Sequence, residues 1–174
     1  RGSGRECFCP PDNVHRQPGP VHPHRTAARG TLARQGRDGH ATTVYDVAFR
    51  AGLTTAQVDW VAITNPGTIT WEFAERPAMK GAVERAMVAA GLATEAEIQE
   101  FSKSSGAWRD QMWARAAAYI TRTHKPNLGL YHLLNLDSTH HTYGPRTPAS
   151  FTGIALADAR VKEIVDAVRA SGTY

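Results

Sequence analysis

The sequence predicts an α/β domain in which helices flank a mostly parallel sheet. Segments with helical periodicity alternate with short apolar segments of the kind found in strands that are buried on both faces. Apolar residues make up 41% of the chain and charged residues 21%, as in ordinary soluble domains. A length of 174 residues is sufficient for one domain with a real core. No stretch approaches the roughly 18 apolar residues of a membrane-spanning helix.

A basic segment precedes the predicted domain. Residues 1–41 are rich in Pro, Gly and Arg and contain few large apolar side chains, so burial cannot offset the entropy of ordering them. We therefore predict a disordered basic tail over 1–41 and a folded domain over 42–174. A basic tail can attract nucleic acid, but Phe8 is the only aromatic residue before position 41. We do not expect a nucleic-acid partner. An alternative hypothesis is that this segment is an out-of-frame translation of a GC-rich gene.

Two cysteines and several histidines lie in this tail. Cys7 and Cys9 are separated by one residue, which is too close for an easy disulfide or a zinc knuckle. His15, His22 and His24 could complete a metal site with them, but their spacing matches no defined pattern. The chain begins with an arginine, which suggests an internal fragment or a processed product. The sequence therefore leaves the location of the parent protein unknown.

The domain begins with a predicted helix and a predicted strand. The stretch "TTVYDVAFRAGL" places Val44, Val47, Ala48 and Ala51 on one helical face, with Gly52 as the C-terminal cap. A buried strand is predicted from position 58 to position 63. The following "NPGTITW" is predicted as a turn and then a loop or a short extended piece.

Three helices are predicted next. The first runs to Ala90 and ends at Gly91, and a capping box of Thr94 and Glu97 starts the second. The third is "WRDQMWARAAAYITRTH". Its apolar stripe consists of Trp108, Met112, Ala116, Tyr119 and Ile120.

The aromatic side chains of this region have two interpretations. The segment from 65 to 115 is a plausible insertion beside a ligand site, so Trp71, Phe73 and Trp108 could stack on a base. We favour the alternative that they belong to the core.

A second strand and a final helix complete the prediction. The apolar run "LGLYHLLNL", residues 128–136, is predicted as a strand. A loop follows, and Thr147 is the predicted cap of a helix that begins at Pro148 and ends near Gly172. The apolar face of that helix is Ile154, Val161, Ile164, Val165 and Val168.

Two polar residues after the second strand form the candidate site. Asp137 directly follows the last apolar residue of the run, and ligand sites of open α/β sheets lie outside the carboxyl ends of the strands. His141 is expected in the loop that turns back through Gly144 and Pro145. An Asp and a His in this arrangement can bind one divalent cation, with distances of about 2.0–2.2 Å for zinc. The competing interpretation is an Asx-turn beside surface histidines.

The wider string resembles a known family. "YHLLNLDSTHHTYGP", "ALADARVKEIVDAVRASG" and "TVYDVAFRAGLTTAQVDWVAI" are similar to segments of the nucleotide pyrophosphatase/phosphodiesterase branch of the alkaline phosphatase superfamily. The resemblance covers residues 42–174 and is carried by the pattern Asp-x-x-x-His-x-x-Gly-Pro. It implies a partial alkaline-phosphatase-like three-layer sandwich that is incomplete at both ends.

The resemblance also implies a chemistry and a set of ligands. It implies a hydrolase with two divalent cations, normally zinc, that acts on phosphoester or nucleotide-like small molecules. Two cations roughly 4 Å apart can stabilise both the attacking and the leaving oxygen of a phosphoryl transfer. In the family, the Asp and the His of this motif bind one cation, and these roles fall on Asp137 and His141. His140, Asp158 and Asp166 receive no such role.

The chain departs from the family pattern in an informative way. We find no Thr or Ser nucleophile motif before residue 42, and the chain ends before the positions where the family has a second Asp-His pair and a further His. No catalytic residue is therefore assigned, and we expect the isolated chain to be inactive. The alternative function is a non-catalytic α/β binding module whose basic tail contacts nucleic acid or an acidic partner.

Overall fold

A computed structural model of the chain describes residues 42–60 and 67–174. The predicted tail, its cysteines and the end of the first predicted strand lie outside these residues. The described elements, in chain order, are α1 (Val44–Arg50), β1 (Thr55–Val58), β2 (Trp71–Phe73), α2 (Ala82–Ala89), α3 (Glu95–Gln99), a 3-10 turn (Phe101–Lys103), α4 (Gly106–His124), β3 (Leu128–Tyr131), α5 (Asn135–Tyr143) and α6 (Pro148–Ser171).

The three strands form a parallel sheet in the order β2-β1-β3. This confirms the predicted α/β class, and the fold is consistent with part of an alkaline-phosphatase-like domain. The central strand β1 is buried along its whole length. Its alternate residues Ala56 and Val58 contribute to the main apolar cluster, whereas Thr55 and Gln57 point to the opposite face of the sheet. The strand β2 is a third strand that the sequence indicated only as a loop or extended piece.

The core lies between the sheet and the helices α2, α3 and α4. Its largest fully buried side chain is Trp113, whose ring lies 5.3 Å from that of Phe101 between centroids. Phe73 is also fully buried and meets Phe101 edge-on. Trp71 and Trp108 are partly buried and pack against this cluster. The aromatic residues of the proposed insertion therefore belong to the core, as we favoured.

The local signals for helix ends are confirmed. Thr94 and Glu97 form a reciprocal capping box at the start of α3, and the Thr147 hydroxyl accepts a hydrogen bond from the Ser150 N–H at the start of α6. Gly52, Gly91 and Gly172 follow the ends of three helices with φ of 74°, 67° and 62°, a conformation that suits glycine.

The predicted inward faces of the first and last helices are wrong in part. In α1 the buried residues are Tyr45 and Ala48, whereas Val44 and Val47 are exposed. In α6 the buried residues are Ser150, Gly153 and Ala167. Three of its predicted inward residues, Ile154, Val161 and Val165, are exposed. Small residues face inward because α6 packs closely on neighbouring helices, and of the predicted inward residues Ile164 is partly buried against the core.

Candidate functional site at the carboxyl edge of the sheet

The candidate site lies where the strands end. Because β1 and β3 are parallel neighbours, their carboxyl ends meet at one edge of the sheet. Asp59 is the first residue after β1, and His132 is the first residue after β3. The helix α5, which carries Asp137 and His141, begins three residues after His132.

Asp59 and His132 connect the two strand ends. The Asp59 Oδ2 atom lies 2.9 Å from His132 Nδ1, and the His132 backbone N–H donates to the Val58 carbonyl at 3.0 Å. The Asp59 side chain is fully buried, and the side chain of His132 is 33% exposed. The second carboxylate oxygen of Asp59 is buried and has no hydrogen-bond partner among the described residues. The backbone of Asp59 has a φ of 52°, which is uncommon for a residue with a side chain.

Burial changes the acidity of Asp59. Removal from water is the largest cause and raises the pKa of Asp59 to about 6. The hydrogen bond and the charge of His132 act in the opposite direction, while the carboxylates of Glu75 and Asp110 raise the pKa further. The buried carboxyl group therefore retains its proton to a higher pH than a solvent-exposed aspartate does.

Asp110 caps the helix that carries the predicted ligands. Its Oδ1 atom accepts hydrogen bonds from the backbone N–H groups of Leu134 at 2.8 Å and Asn135 at 3.1 Å. No side chain of α5 caps its own N-terminus, and no residue of α5 is fully buried. Burial raises the pKa of Asp110, and the hydrogen bonds from the two backbone N–H groups oppose this. The carboxylate of α4 thus supplies the cap that α5 lacks.

Replacement of this cap should loosen α5. We expect Asp110→Ala to lower the free energy of unfolding by about 1–3 kcal/mol, because the N–H groups of two half-buried residues lose their acceptor. Asp110→Asn keeps an acceptor oxygen and should lose less. Urea unfolding measures the loss, and amide hydrogen exchange should show faster exchange at Leu134 and Asn135. Equal protection of these amides in Asp110→Ala and the parent would contradict the assignment of Asp110 as the cap.

The other end of α5 is held by α6. His140 Nε2 and Ser150 Oγ share a hydrogen bond of 2.7 Å. A Cβ atom added at Gly153 would lie only 3.2 Å from Leu136 Cδ1, so the two helices are in close contact. His140 therefore joins α5 to α6 through its side chain. Asp166 forms ion pairs with Lys162 and Arg169 within α6. Asp158 is exposed on the surface of the same helix.

The structure corrects the setting of Asp137 and His141. We predicted a strand to residue 136 and a loop beyond it, but β3 ends at Tyr131 and α5 already begins at Asn135. The apolar run continues past the strand because Leu133, Leu134 and Leu136 are half-buried around the helix start. Asp137 and His141 therefore lie on one face of a helix, four residues apart.

These two side chains nevertheless converge. The Asp137 Oδ1 atom lies 3.4 Å from His141 Nε2, and the side chains are 63% and 80% exposed. Two ligands of a tetrahedral zinc at about 2.0–2.2 Å are separated by about 3.3–3.6 Å. The carboxylate and imidazole donors therefore fit a shared zinc ion in type and in separation, and solvent has access to both. The same separation also permits a simple ion pair.

The described part of the chain does not supply a complete metal centre. No cluster of three or more His, Cys, Asp or Glu side chains suited to a metal occurs in 42–60 and 67–174. A cleft of about 430 Å³ lies beside β2 and the start of α2, and neither Asp137 nor His141 lines it. The metal site is therefore defined by the geometry of its two donors.

None of the helices in residues 42–60 and 67–174 is long and apolar enough to cross a membrane.

Three residues of this edge were not singled out from the sequence: Asp59, Asp110 and His132. Asp59 was missed because we predicted a strand from 58 to 63, which placed it in the strand interior, whereas β1 spans Thr55–Val58 and ends just before it. His132 lay inside the apolar run and was assigned to the strand interior. Asp110 is a helical residue whose contacts depend on the packing of α4 against α5, which no local pattern shows.

The comparisons with known proteins identify the family of the chain and do not test the site residues. Neither the curated proteins nor the solved structures include a significant match to the chain. The sequence model of the type I phosphodiesterase / nucleotide pyrophosphatase family matches residues 12–174. The match begins within the predicted tail and includes the whole predicted domain. The chain therefore belongs to the type I phosphodiesterase / nucleotide pyrophosphatase family.

Proposed function

We propose that this chain contributes part of the metal centre of a zinc-dependent phosphodiesterase or nucleotide pyrophosphatase. The family supports hydrolysis of phosphoester bonds in small molecules or nucleotides. The observation that carries the metal proposal is the 3.4 Å separation of Asp137 Oδ1 and His141 Nε2 on an exposed helical face. Both donor types suit zinc.

Asp137 and His141 would hold one divalent cation, which supplies charge for the phosphoryl oxygens and activates a hydroxyl nucleophile. The helix α5 fixes the four-residue spacing of the two donors. Asp110 fixes the start of that helix, and the contact between His140 and Ser150 fixes its second half. Hydrogen bonds thus hold both halves of α5, and the side chains of the two donors face solvent.

The number of donors limits the affinity. Catalytic zinc normally has three protein ligands, and this face offers two. We therefore expect weak zinc binding by the isolated chain, with a dissociation constant on the order of 100 μM. We also expect no hydrolysis of bis(4-nitrophenyl) phosphate by the isolated chain, since the family's nucleophile motif was not found in the sequence.

Isothermal titration calorimetry with zinc tests this proposal. The parent for all variants should be Cys7→Ser/Cys9→Ser, so that thiols do not bind the metal. Asp137→Ala and His141→Ala should each abolish measurable heat from this site. Asp158→Ala, which removes an exposed aspartate of α6, should bind zinc as the parent does.

Two calorimetric results would contradict the proposal. Unchanged binding in Asp137→Ala would exclude this carboxylate as a ligand. Micromolar or tighter binding that Asp137→Ala abolishes would show that the chain supplies more ligands than we propose. Turnover of the phosphodiester by the isolated chain would contradict the expected inactivity.

A further inference from the structure

Asp59 and His132 form a polar pair that the metal proposal does not use. Their side chains are joined at 2.9 Å at the edge of the sheet where ligands of open α/β sheets bind. The His132 backbone is also fixed, because its N–H donates to the carbonyl of Val58. The position and the orientation of the imidazole are therefore both set by β1.

The pair has features that a structural link between strands does not require. A fully buried carboxylate is costly, and one of its oxygens has no partner among the described residues. The backbone of Asp59 is left-handed, with a φ of 52°. A neutral amide would join the strands with less desolvation. These unfavourable features all fall on one residue, at the edge where open α/β sheets bind their ligands, and they indicate a functional pair.

The ring nitrogen of His132 that does not contact Asp59 indicates the function of the pair. The carboxylate accepts the hydrogen bond from Nδ1, so Nε2 is the ring nitrogen that remains for a ligand. The ring is one-third exposed. When the imidazole is protonated, the pair as a unit is neutral, and Nε2–H can donate to an anionic oxygen. Glu75 and Asp110 are the other carboxylates that raise the pKa of Asp59. The carboxylate of Asp110 already accepts hydrogen bonds from two backbone N–H groups.

We propose that His132, oriented by Asp59, contacts the substrate by a hydrogen bond from Nε2 to a phosphoryl oxygen. His132 is then a substrate-binding residue, and Asp59 is a positioning residue that acts through it. The inference rests on the proposed function, because it takes a phosphoester as the ligand that reaches this edge.

Histidine-detected NMR of the full chain labelled with ¹⁵N-histidine tests the inference. The probe is inorganic phosphate, and zinc is added in a separate titration. We expect phosphate to shift the Nε2 resonance of His132 and to leave His124 unchanged, because His124 is stacked on Trp71 at the far end of α4. We expect the apparent phosphate affinity to fall about tenfold or more in His132→Gln.

The role of Asp59 has its own readout. Asp59→Asn should change the tautomer or the proton exchange of the His132 ring and weaken phosphate binding, while His124→Gln should do neither. A backbone amide spectrum shows whether each variant is folded. If Asp59→Asn does not fold, the parent and His132→Gln still decide the phosphate contact.

The results separate this inference from the metal proposal. Zinc shifts at His141 without any phosphate shift at His132 would overturn the inference and leave the metal proposal intact. A phosphate shift at His132 without zinc binding at His141 would support the inference and contradict the metal proposal. Phosphate shifts of equal size at His132 and His124 would indicate non-specific binding and would also overturn it.

Discussion

Trp113→Ala should lower the free energy of unfolding by about 3–5 kcal/mol, the largest effect of any single change that we expect. The side chain is 1% exposed and is the largest of the fully buried ones in the described chain. Its ring contacts that of Phe101, and the guanidinium carbon of Arg109 lies 5.9 Å from its centroid. Truncation would leave a cavity in the middle of the cluster that joins the sheet to α4.

Urea unfolding followed by circular dichroism measures this loss. Phe49→Ala is the matched control, because it removes an aromatic ring of α1 that is 54% exposed. The control should change the stability by about 0.5 kcal/mol or less. A loss below about 1 kcal/mol in Trp113→Ala would show that the cluster is not the main core.

Asp59→Asn should make the protein more stable at pH 7.5, by up to about 3 kcal/mol. Burial raises the pKa of Asp59 from 3.8 to about 6 in the folded state. The folded state therefore holds the proton more tightly than the unfolded state does. The contribution of Asp59 to stability is fully present below about pH 4 and is lost as the pH rises through 6. An asparagine at this position does not ionise, so it does not lose stability in this way as the pH rises.

A comparison of the parent with Asp59→Asn isolates the effect of the Asp59 charge on stability. Thermal unfolding of the parent and of Asp59→Asn at pH 4 and at pH 7.5 should show a small difference at the lower pH and a large one at the higher. Glu97→Gln, a change in the exposed capping box of α3, should show no such gain with rising pH. A variant that is less stable than the parent at pH 7.5 would show that the bond to His132 outweighs the cost of burying the charge.

Such a gain would have a functional meaning. A buried charge that reduces stability and can be replaced by a neutral amide is retained for reasons other than folding. The histidine that Asp59 orients is the candidate reason. The stability measurement and the phosphate titration therefore examine the same pair from two independent directions.

Local chemistry made most helix ends predictable. The capping box of Thr94 and Glu97, the cap at Thr147 and the glycines at 91 and 172 are determined by hydrogen bonds and backbone preferences within a few residues. These signals do not depend on distant parts of the chain. The elements whose limits were predicted best are therefore those with a strong local cap.

Elements that depend on distant pairing were harder to predict. The strand β2 has three residues and exists because it pairs with β1. The apolar run after residue 128 continues from β3 into α5, and hydrophobicity alone does not distinguish a strand from a buried helix start. This ambiguity placed Asp137 in a loop rather than on a helix. The four-residue spacing to His141 brings the two side chains together on the helix as well.

The candidate site likewise contains residues that could be predicted from local sequence and residues that depend on distant pairing. Asp137 and His141 are close in sequence, so their convergence could be anticipated, although their metal role stays a prediction. Asp59 and His132 are far apart in sequence and meet only because β1 and β3 are neighbours in the sheet. Sequence spacing cannot reveal such a pair without the strand order.

Anomalous diffraction at the zinc edge, from crystals of Cys7→Ser/Cys9→Ser soaked in millimolar zinc, tests the central claim most directly. We predict one peak within about 2.0–2.2 Å of both Asp137 and His141, and no peak there in Asp137→Ala. A zinc peak on other residues of the chain, with the side chains of 137 and 141 bonded only to each other, would contradict the claim.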